Sequence, residues 1–314
     1  MNKITIGADP EFFVCNNDLG EIVSSIGLLG GTKQAPRKCK YGFVQEDNVL
    51  GEINVNPSTD PSEFVNNTLN ILSEAGDILL QSGHKIAGGV CYHQYPESIA
   101  SLMLNNDQAK EFGCDPDLNA WTGEDNPDNS EYARENNLRV AGGHIHIGLP
   151  HEFRNNPMAG TYLARLCDLF ISYPLMVYMP KKMREQEAAR RLIYGQAGSY
   201  RLKKYGIEYR TVSNIWLWNP ELAYFVADAA MKAAYAVVQN RNVERIIHKM
   251  EEFNVIQSLS NPNKSDSGLN EPKVDRSIRL DVARFSINIE DHYEDLFNKE
   301  FWFSNKSIDY SHAA

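Results

Sequence analysis

Four short, largely apolar segments of the chain carry charged or polar residues at even spacing. Residues 7–13 hold Asp9 and Glu11, residues 45–52 hold Glu46 and Glu52, residues 142–148 hold His144 and His146, and residues 205–210 hold Glu208 and Arg210. Side chains alternate along a β-strand, so residues two, four or six apart share a face. Each segment read as a strand would bury its apolar residues on one face and turn its charged residues to the other. For the pair Glu46 and Glu52 this holds unless a bulge intervenes. A face that collects carboxylates, imidazoles and an arginine is more than solvation requires. Neighbouring carboxylates repel one another, and a divalent cation removes that cost. Oxygen-rich ligation with a single imidazole favours Mg²⁺, with Mn²⁺ as the alternative, whereas several histidines favour zinc.

The rest of the chain supplies the elements around such a sheet. Residues 4–14 and 44–55 read as strands, as do 86–92, 138–148 and 207–212. Asp60, Pro61 and Glu63 form a capping-box-like helix start. Phe64, Thr68, Leu69, Leu72, Ala75 and Leu79 follow as one stripe, and Gly83 marks the stop. Residues 163–179 read as a buried apolar helix kinked at Pro174. Asn219 and Pro220 open another helix, with Leu222, Phe225, Val226, Ala229, Ala233 and Val237 facing inward. The acidic stretch 115–137 reads as a long loop or lid, and 261–273 as a mobile loop. Strands gather early and helices late, which predicts an α+β fold with a largely antiparallel sheet. We expect one catalytic domain over 1–314, with a sheet-based core over 1–218 and a helical C-terminal part over 219–314.

Composition excludes some partners. The net charge of −10 over 314 residues argues against general nucleic-acid binding and against an anionic membrane surface. Five scattered cysteines, Cys15, Cys39, Cys91, Cys114 and Cys167, read as free thiols in a reducing cytoplasm. The N-terminus lacks a signal-peptide pattern, and residues 163–179 are too short and polar to span a bilayer.

A cationic stretch stands out in this acidic chain: Lys181, Lys182, Arg184, Arg190, Arg191, Arg201, Lys203 and Lys204. Lys181 to Arg184 read as an exposed helix face. Arg201 follows residues 194–200, a glycine-punctuated loop expected to bring backbone close to a ligand, and its guanidinium suits phosphate oxygens. Gly30, Gly31, Thr32 and Lys33, followed by Arg37 and Lys38, form a second candidate phosphate or carboxylate clamp without Walker spacing.

The ordered set of motifs is similar to the glutamine synthetase and glutamate–cysteine ligase superfamily, and within it resembles the carboxylate–amine ligases (amidoligases) of bacteriophages. The carriers are Gly-Ala-Asp-Pro-Glu-Phe at 7–12, Gly-Gly-Thr-Lys at 30–33 and Gly-Glu-Ile-Asn-Val-Asn-Pro at 51–57. They continue with Gly-Gly-His-Ile-His-Ile-Gly at 142–148, Tyr-Gly-x-Ala-Gly at 194–198, and Tyr-Arg at 200–201 followed after five residues by Ile-Glu-Tyr-Arg. The resemblance implies a curved antiparallel sheet forming a metal-lined funnel, with helices packed on its outer face. It implies a carboxylate–amine ligase that uses ATP and Mg²⁺ on small-molecule or peptide substrates, in the host cytoplasm if phage-encoded. Its separate small N-terminal domain is missing here, so the superfamily's oligomer does not carry over, although an oligomer remains compatible.

Carried over to this chain, Glu11, Glu52, His144 and Glu208 are the expected metal ligands, with His146 as the alternative histidine and Glu46 or Asp47 as alternatives to Glu52. Arg201, Arg210, Lys33 and His146 are the expected nucleotide-binding residues. Arg201 and Arg210 would stabilise the transferring phosphoryl group. Asp9 or Glu46 would take a proton from the amine, and the 115–137 segment would close over the site. The main rival is a zinc-dependent amide hydrolase built on His144 and His146, for which His93 is the nearest candidate third ligand. A third reading is a non-enzymatic phage binding protein on the same fold.

Overall fold

The computed structural model describes residues 3–110, 117–239 and 243–252. The expected loop at 261–273 and most of the C-terminal part lie outside the described residues. The fold is α+β, built on a large antiparallel sheet of eleven strands with helices packed against it.

Seven strands carry the argument. They are β1 (Thr5–Ala8), β2 (Glu11–Asn16), β3 (Gly42–Asp47), β4 (Leu50–Ser58), β5 (Ile145–Gly148), β6 (Ser199–Lys203) and β7 (Gly206–Tyr209). Their order across the sheet is β2-β4-β1-β5-β7-β6, with β3 also pairing β4. Short strands at Ile22–Val23, Arg37–Lys38, His84–Ala87 and Leu118–Asn119 complete it. Ile6, Phe12, Ile53, Val55, Ile145, Ile147, Ile207 and Tyr209 are buried in one core. Alternation then turns Glu11, Glu52, His146 and Glu208 to the opposite face.

Helices α1 (Pro61–Leu80), α2 (Pro157–Cys167) and α4 (Pro220–Val238) cover the apolar face, and α1 and α2 both pack on α4. The caps form where the residues suggest. Asp60 accepts the Glu63 N–H at 3.0 Å, and Asn219 accepts those of Glu221 and Leu222. Glu63 does not close the capping box; its carboxylate meets Ser58, whose hydroxyl accepts the Asp60 N–H at 3.0 Å. After α2 the chain widens into a π-helical turn, Asp168–Ser172. Pro174 has no N–H to give the carbonyl four residues back, so the expected kink takes this form. The remaining helix of consequence is α3 (Lys181–Arg191). Lys181 and Lys182 are exposed there, as expected, whereas Arg190 and Arg191 are buried against Glu187.

Three boundaries differ from the sequence reading. The 4–14 strand breaks at Asp9 and Pro10. The 44–55 strand is a hairpin whose turn holds Asn48 at φ 57°. The 138–148 strand divides between β5 and Leu138–Val140, which pairs with Tyr92–Gln94 in a separate two-stranded sheet. The expected lid is also not free-standing where described: it contains the helix Ser130–Glu135, and Leu118–Asn119 is sewn to β6. Among the described residues no helix is long and apolar enough to cross a membrane.

Candidate active site

The polar face of the sheet holds two clusters of possible metal ligands. Glu11, Asp47 and Glu52 form one, and Asp9, His146 and Glu208 the other, each with ligand atoms within 4.8 Å of one another. The break at Pro10 separates Asp9 from Glu11 and sends each to a different cluster.

In the first cluster Glu11 opens β2 directly opposite Glu52 on β4. Glu52 is buried and accepts from Gln45 at 2.9 Å and Asn54 at 2.8 Å through one oxygen. Burial, with Asp9, Asp47 and Glu11 nearby, pushes its carboxyl well above the ordinary range. Asp47 meets Lys33 Nζ at 3.2 Å. Lys33 is half exposed and reaches the edge of the three-carboxylate cluster through Asp47. Arg37 and Lys38 are exposed on their edge strand.

Glu46 does not join this cluster. In the hairpin Gln45 pairs with Glu52 while Glu46 pairs with Gly51. Glu46 and Glu52 therefore occupy opposite faces, because even spacing carries no face information across a tight turn. Glu46 is buried and its Oε1 accepts the Leu29 N–H at 3.1 Å. This placement gives it no route to a substrate amine, so Asp47 replaces it.

The second cluster centres on Asp9. Its Oδ1 lies 3.0 Å from His146 Nε2 and 3.4 Å from His144 Nδ1. Although burial opposes it, the two imidazoles hold the Asp9 carboxyl far below the ordinary range. His146 pairs with Glu208 across β5 and β7, and its Nδ1 meets Tyr205 Oη at 2.6 Å with the rings stacked. Burial lowers its pKa, and Asp9 outweighs this and raises it. His144 is buried further in, with Arg210 at 3.3 Å and Glu208 at 3.8 Å from its Nδ1. Of the two alternative histidines, His146 sits among the ligand atoms of this set, and the more deeply buried His144 lies within 3.8 Å of both Asp9 and Glu208.

Glu208 is ringed by cations. Lys203 Nζ is 2.6 Å from one oxygen, while Arg210 and, at 3.6 Å, Arg201 share the other. Burial opposes ionisation, but His144 and Arg210 bring the carboxyl down to about 2. Arg201 faces Glu208 across the β6–β7 ladder, so the even spacing places Lys203 on the same face. Lys203 is a site residue that sequence reading left among general basic residues. The Arg210 Nε also lies 3.4 Å from Asp117.

Tyr194 was quoted only as part of a motif, yet its hydroxyl donates to Glu11 Oε2 at 3.0 Å. That oxygen also accepts the Gly142 N–H at 2.6 Å. The glycines after Tyr194 serve the protein rather than a ligand. A side chain on Gly195 (φ 83°) would strike the Arg190 guanidinium at 2.5 Å, and one on Gly198 would strike Trp121 at 2.6 Å. A cavity opens beside the clusters, bounded by Glu11, Asp47, Arg201 and Arg210 on the site side and by Asn126–Ser130, Leu138 and Ile193 on the other.

The donor sets suit hard divalent cations. One cluster is all carboxylate and the other has one imidazole. Each of the two sets has at most one imidazole among its mutually close ligand atoms, with His144 beside the second set at 3.4 Å from Asp9 Oδ1. His93 packs on Phe13 and Tyr95 in the small sheet, outside both sets.

The sequence model of the family described as phage phiEco32-like COOH.NH2 ligase-type 2 matches residues 136–257. Over that segment the chain is similar to this carboxylate–amine ligase family. The matched segment carries His144, His146, Arg201, Glu208 and Arg210, while Asp9, Glu11 and Glu52 lie before it. No curated protein matches the chain. A crystal structure described as a novel glutamine synthase homolog is similar over 90% of this chain and 71% of its own, at 12% identity and a TM-score of 0.36. A likeness at that level carries no argument about activity.

Proposed function

We propose that this protein is an ATP- and Mg²⁺-dependent ligase that joins a carboxylate to an amine through an acyl phosphate. The observation that carries it is the meeting on one sheet face of two acidic clusters with Arg201, Lys203 and Arg210. Bringing a nucleotide polyanion beside a substrate carboxylate requires fixed positive charge on the protein and dense negative charge to hold cations. A hydrolase acting on a neutral amide has no use for both.

In the proposed reaction a carboxylate oxygen takes the γ-phosphoryl group and ADP leaves. The neutral amine then attacks the acyl carbon, the C–N bond forms as the acyl C–O bond to phosphate breaks, and inorganic phosphate leaves while the amine gives up a proton. When bound, Mg²⁺ or Mn²⁺ at Glu11–Asp47–Glu52 and Asp9–His146–Glu208 would supply charge neutralisation for the phosphates. Arg201 and Arg210 stabilise charge developing on the transferring group. Asp9, whose Oδ1 lies 3.0 Å from His146 Nε2, would accept the proton of the amine, with the second cation then held by His146 and Glu208. The wall at 126–130 shields the cavity from water on one side. Its substrates would be small-molecule or peptide acids and amines, and the protein would work in the cytoplasm.

The test is a screen of acids and amines for amine-dependent ADP release with Mg²⁺. It is paired with hydroxylamine in place of the amine, which traps an activated acyl group as a hydroxamate. Hydroxamate and ADP forming together is the expected result. Stoichiometric zinc with nucleotide-independent amide cleavage would overturn the proposal in favour of the hydrolase.

A further inference from the structure

Arg190, outside the two clusters, has no exposed surface. It lies near the end of α3 and spends its donors on the main chain leaving β7. Its guanidinium donates to the carbonyls of Thr211 at 2.9 Å, Val212 at 3.0 Å and Arg210 at 3.2 Å, and to Glu187 at 3.1 Å. The same guanidinium lies 4.8 Å from the centre of the Tyr194 ring, while that of Arg210 lies 5.6 Å from it. Cations against an aromatic face are attracted by its quadrupole, so the ring has a defined seat. The His144 ring, 5.8 Å away, borders the same phenol.

The phenol donates to Glu11 Oε2. The hydroxyl is thus fastened to a carboxylate on β2, while its ring is fastened to cations on α3 and just after β7. Two glycines leave the necessary space. Gly195 admits the Arg190 guanidinium, and a side chain on Gly142 would come within 2.6 Å of the Tyr194 hydroxyl.

We propose that Tyr194 is a positioning residue that fixes the Glu11 carboxylate for cation binding, and that Arg190 fixes Tyr194. This rests on the reading of Glu11, Asp47 and Glu52 as a metal site. Glu11 stands directly opposite Glu52, and the two carboxylates repel one another when no cation lies between them. The Tyr194 hydroxyl and the Gly142 N–H, both on one oxygen, hold Glu11 in place and leave its other oxygen for a metal. Groups that orient ligands in this way are worth about ten- to a hundredfold in metal affinity.

The experiment is a Mn²⁺ titration of the full-length protein without nucleotide, followed by the electron paramagnetic resonance signal of free Mn²⁺. Wild type, Tyr194→Phe and Arg190→Lys are compared at a temperature where circular dichroism shows all three folded. Tyr194→Phe keeps the ring and its cation contacts and removes only the hydroxyl. The expected result is roughly tenfold or greater loss of affinity at one class of site in Tyr194→Phe, with an unchanged melting temperature in excess chelator. Arg190→Lys, which keeps the charge and loses the fork, should weaken the same class. Wild-type affinity in Tyr194→Phe would overturn the proposal while leaving the metal site standing. Absence of Mn²⁺ binding in the wild type would instead overturn the metal reading, and the proposal with it.

Discussion

Asp168 is a carboxylate with no exposed surface, on the far side of the sheet from the two clusters. It accepts the Trp121 indole N–H and the Tyr209 hydroxyl, both at 2.6 Å. Burial raises its carboxyl to about 6 against these hydrogen bonds and the Arg191 charge. Tyr209 lies between Glu208 and Arg210, and Trp121 anchors the segment that brings Asp117 to Arg210. The sign of its pH effect follows from linkage. A raised carboxyl pKa means that the folded protein holds the proton more tightly than the unfolded chain. Its contribution is therefore most favourable below the unfolded value, 3.8. It is lost as pH rises toward about 6. The loss is of order 3 kcal/mol. Asp168→Asn cannot ionise, so its stability relative to wild type should rise by up to that order between pH 4 and pH 7. Urea unfolding of both proteins at the two pH values measures this. An unchanged difference between them would show that the Asp168 carboxyl is not perturbed.

At the scale of elements, what was legible depended on whether the physics was local. The caps at Asp60 and Asn219 were readable because a side-chain oxygen meets an N–H two or three residues away. His144 with His146, and Glu208 with Arg210, were readable as shared-face pairs because each lies within one short extended stretch. The hairpin between β3 and β4 broke this logic. Its turn reverses the chain, and pairing rather than spacing decides which acid faces the site. Spacing left Glu46, Asp47 and Glu52 as alternatives for that reason, and it passed over Lys203 because its place depends on register with β7. Tyr194 gave no signal beyond its motif, since its partner is 183 positions away. The hairpin makes its own prediction. Glu46→Gln keeps an oxygen for the Leu29 N–H and should leave Mn²⁺ affinity unchanged. Asp47→Asn removes a charge from the cluster and should weaken Mn²⁺ binding roughly tenfold or more. Loss of Mn²⁺ binding in Glu46→Gln would mean that the faces have been assigned the wrong way round.

Across the whole molecule, charge and topology converge on one face. The antiparallel α+β class was legible from the distribution of strand and helix patterns, but the strand order β2-β4-β1-β5-β7-β6 was not. That order depends on pairings between segments far apart, such as β1 with β5, which no local pattern encodes. It is this order that gathers acids from β2, β3, β4 and β7 and the Pro10 break into two clusters. In a chain of net charge −10, such crowding opposes folding, and Glu52 records the strain in its raised pKa. A cation that binds the folded protein and not the unfolded chain reverses the effect by mass action. At a hundred times its dissociation constant it adds about 2.7 kcal/mol. For a chain of this size that corresponds to a rise of about 4 °C in melting temperature. Melting curves in MgCl₂ or MnCl₂, compared with NaCl at equal ionic strength, separate specific binding from screening, since screening acts on all exposed charges alike. The divalent ions should raise the melting temperature beyond NaCl. Glu52→Gln should start from a higher melting temperature in chelator, because it removes the buried charge, and should respond less to divalent ions. Equal shifts in NaCl and MgCl₂ would show that the clusters are an acidic surface and not a cation site.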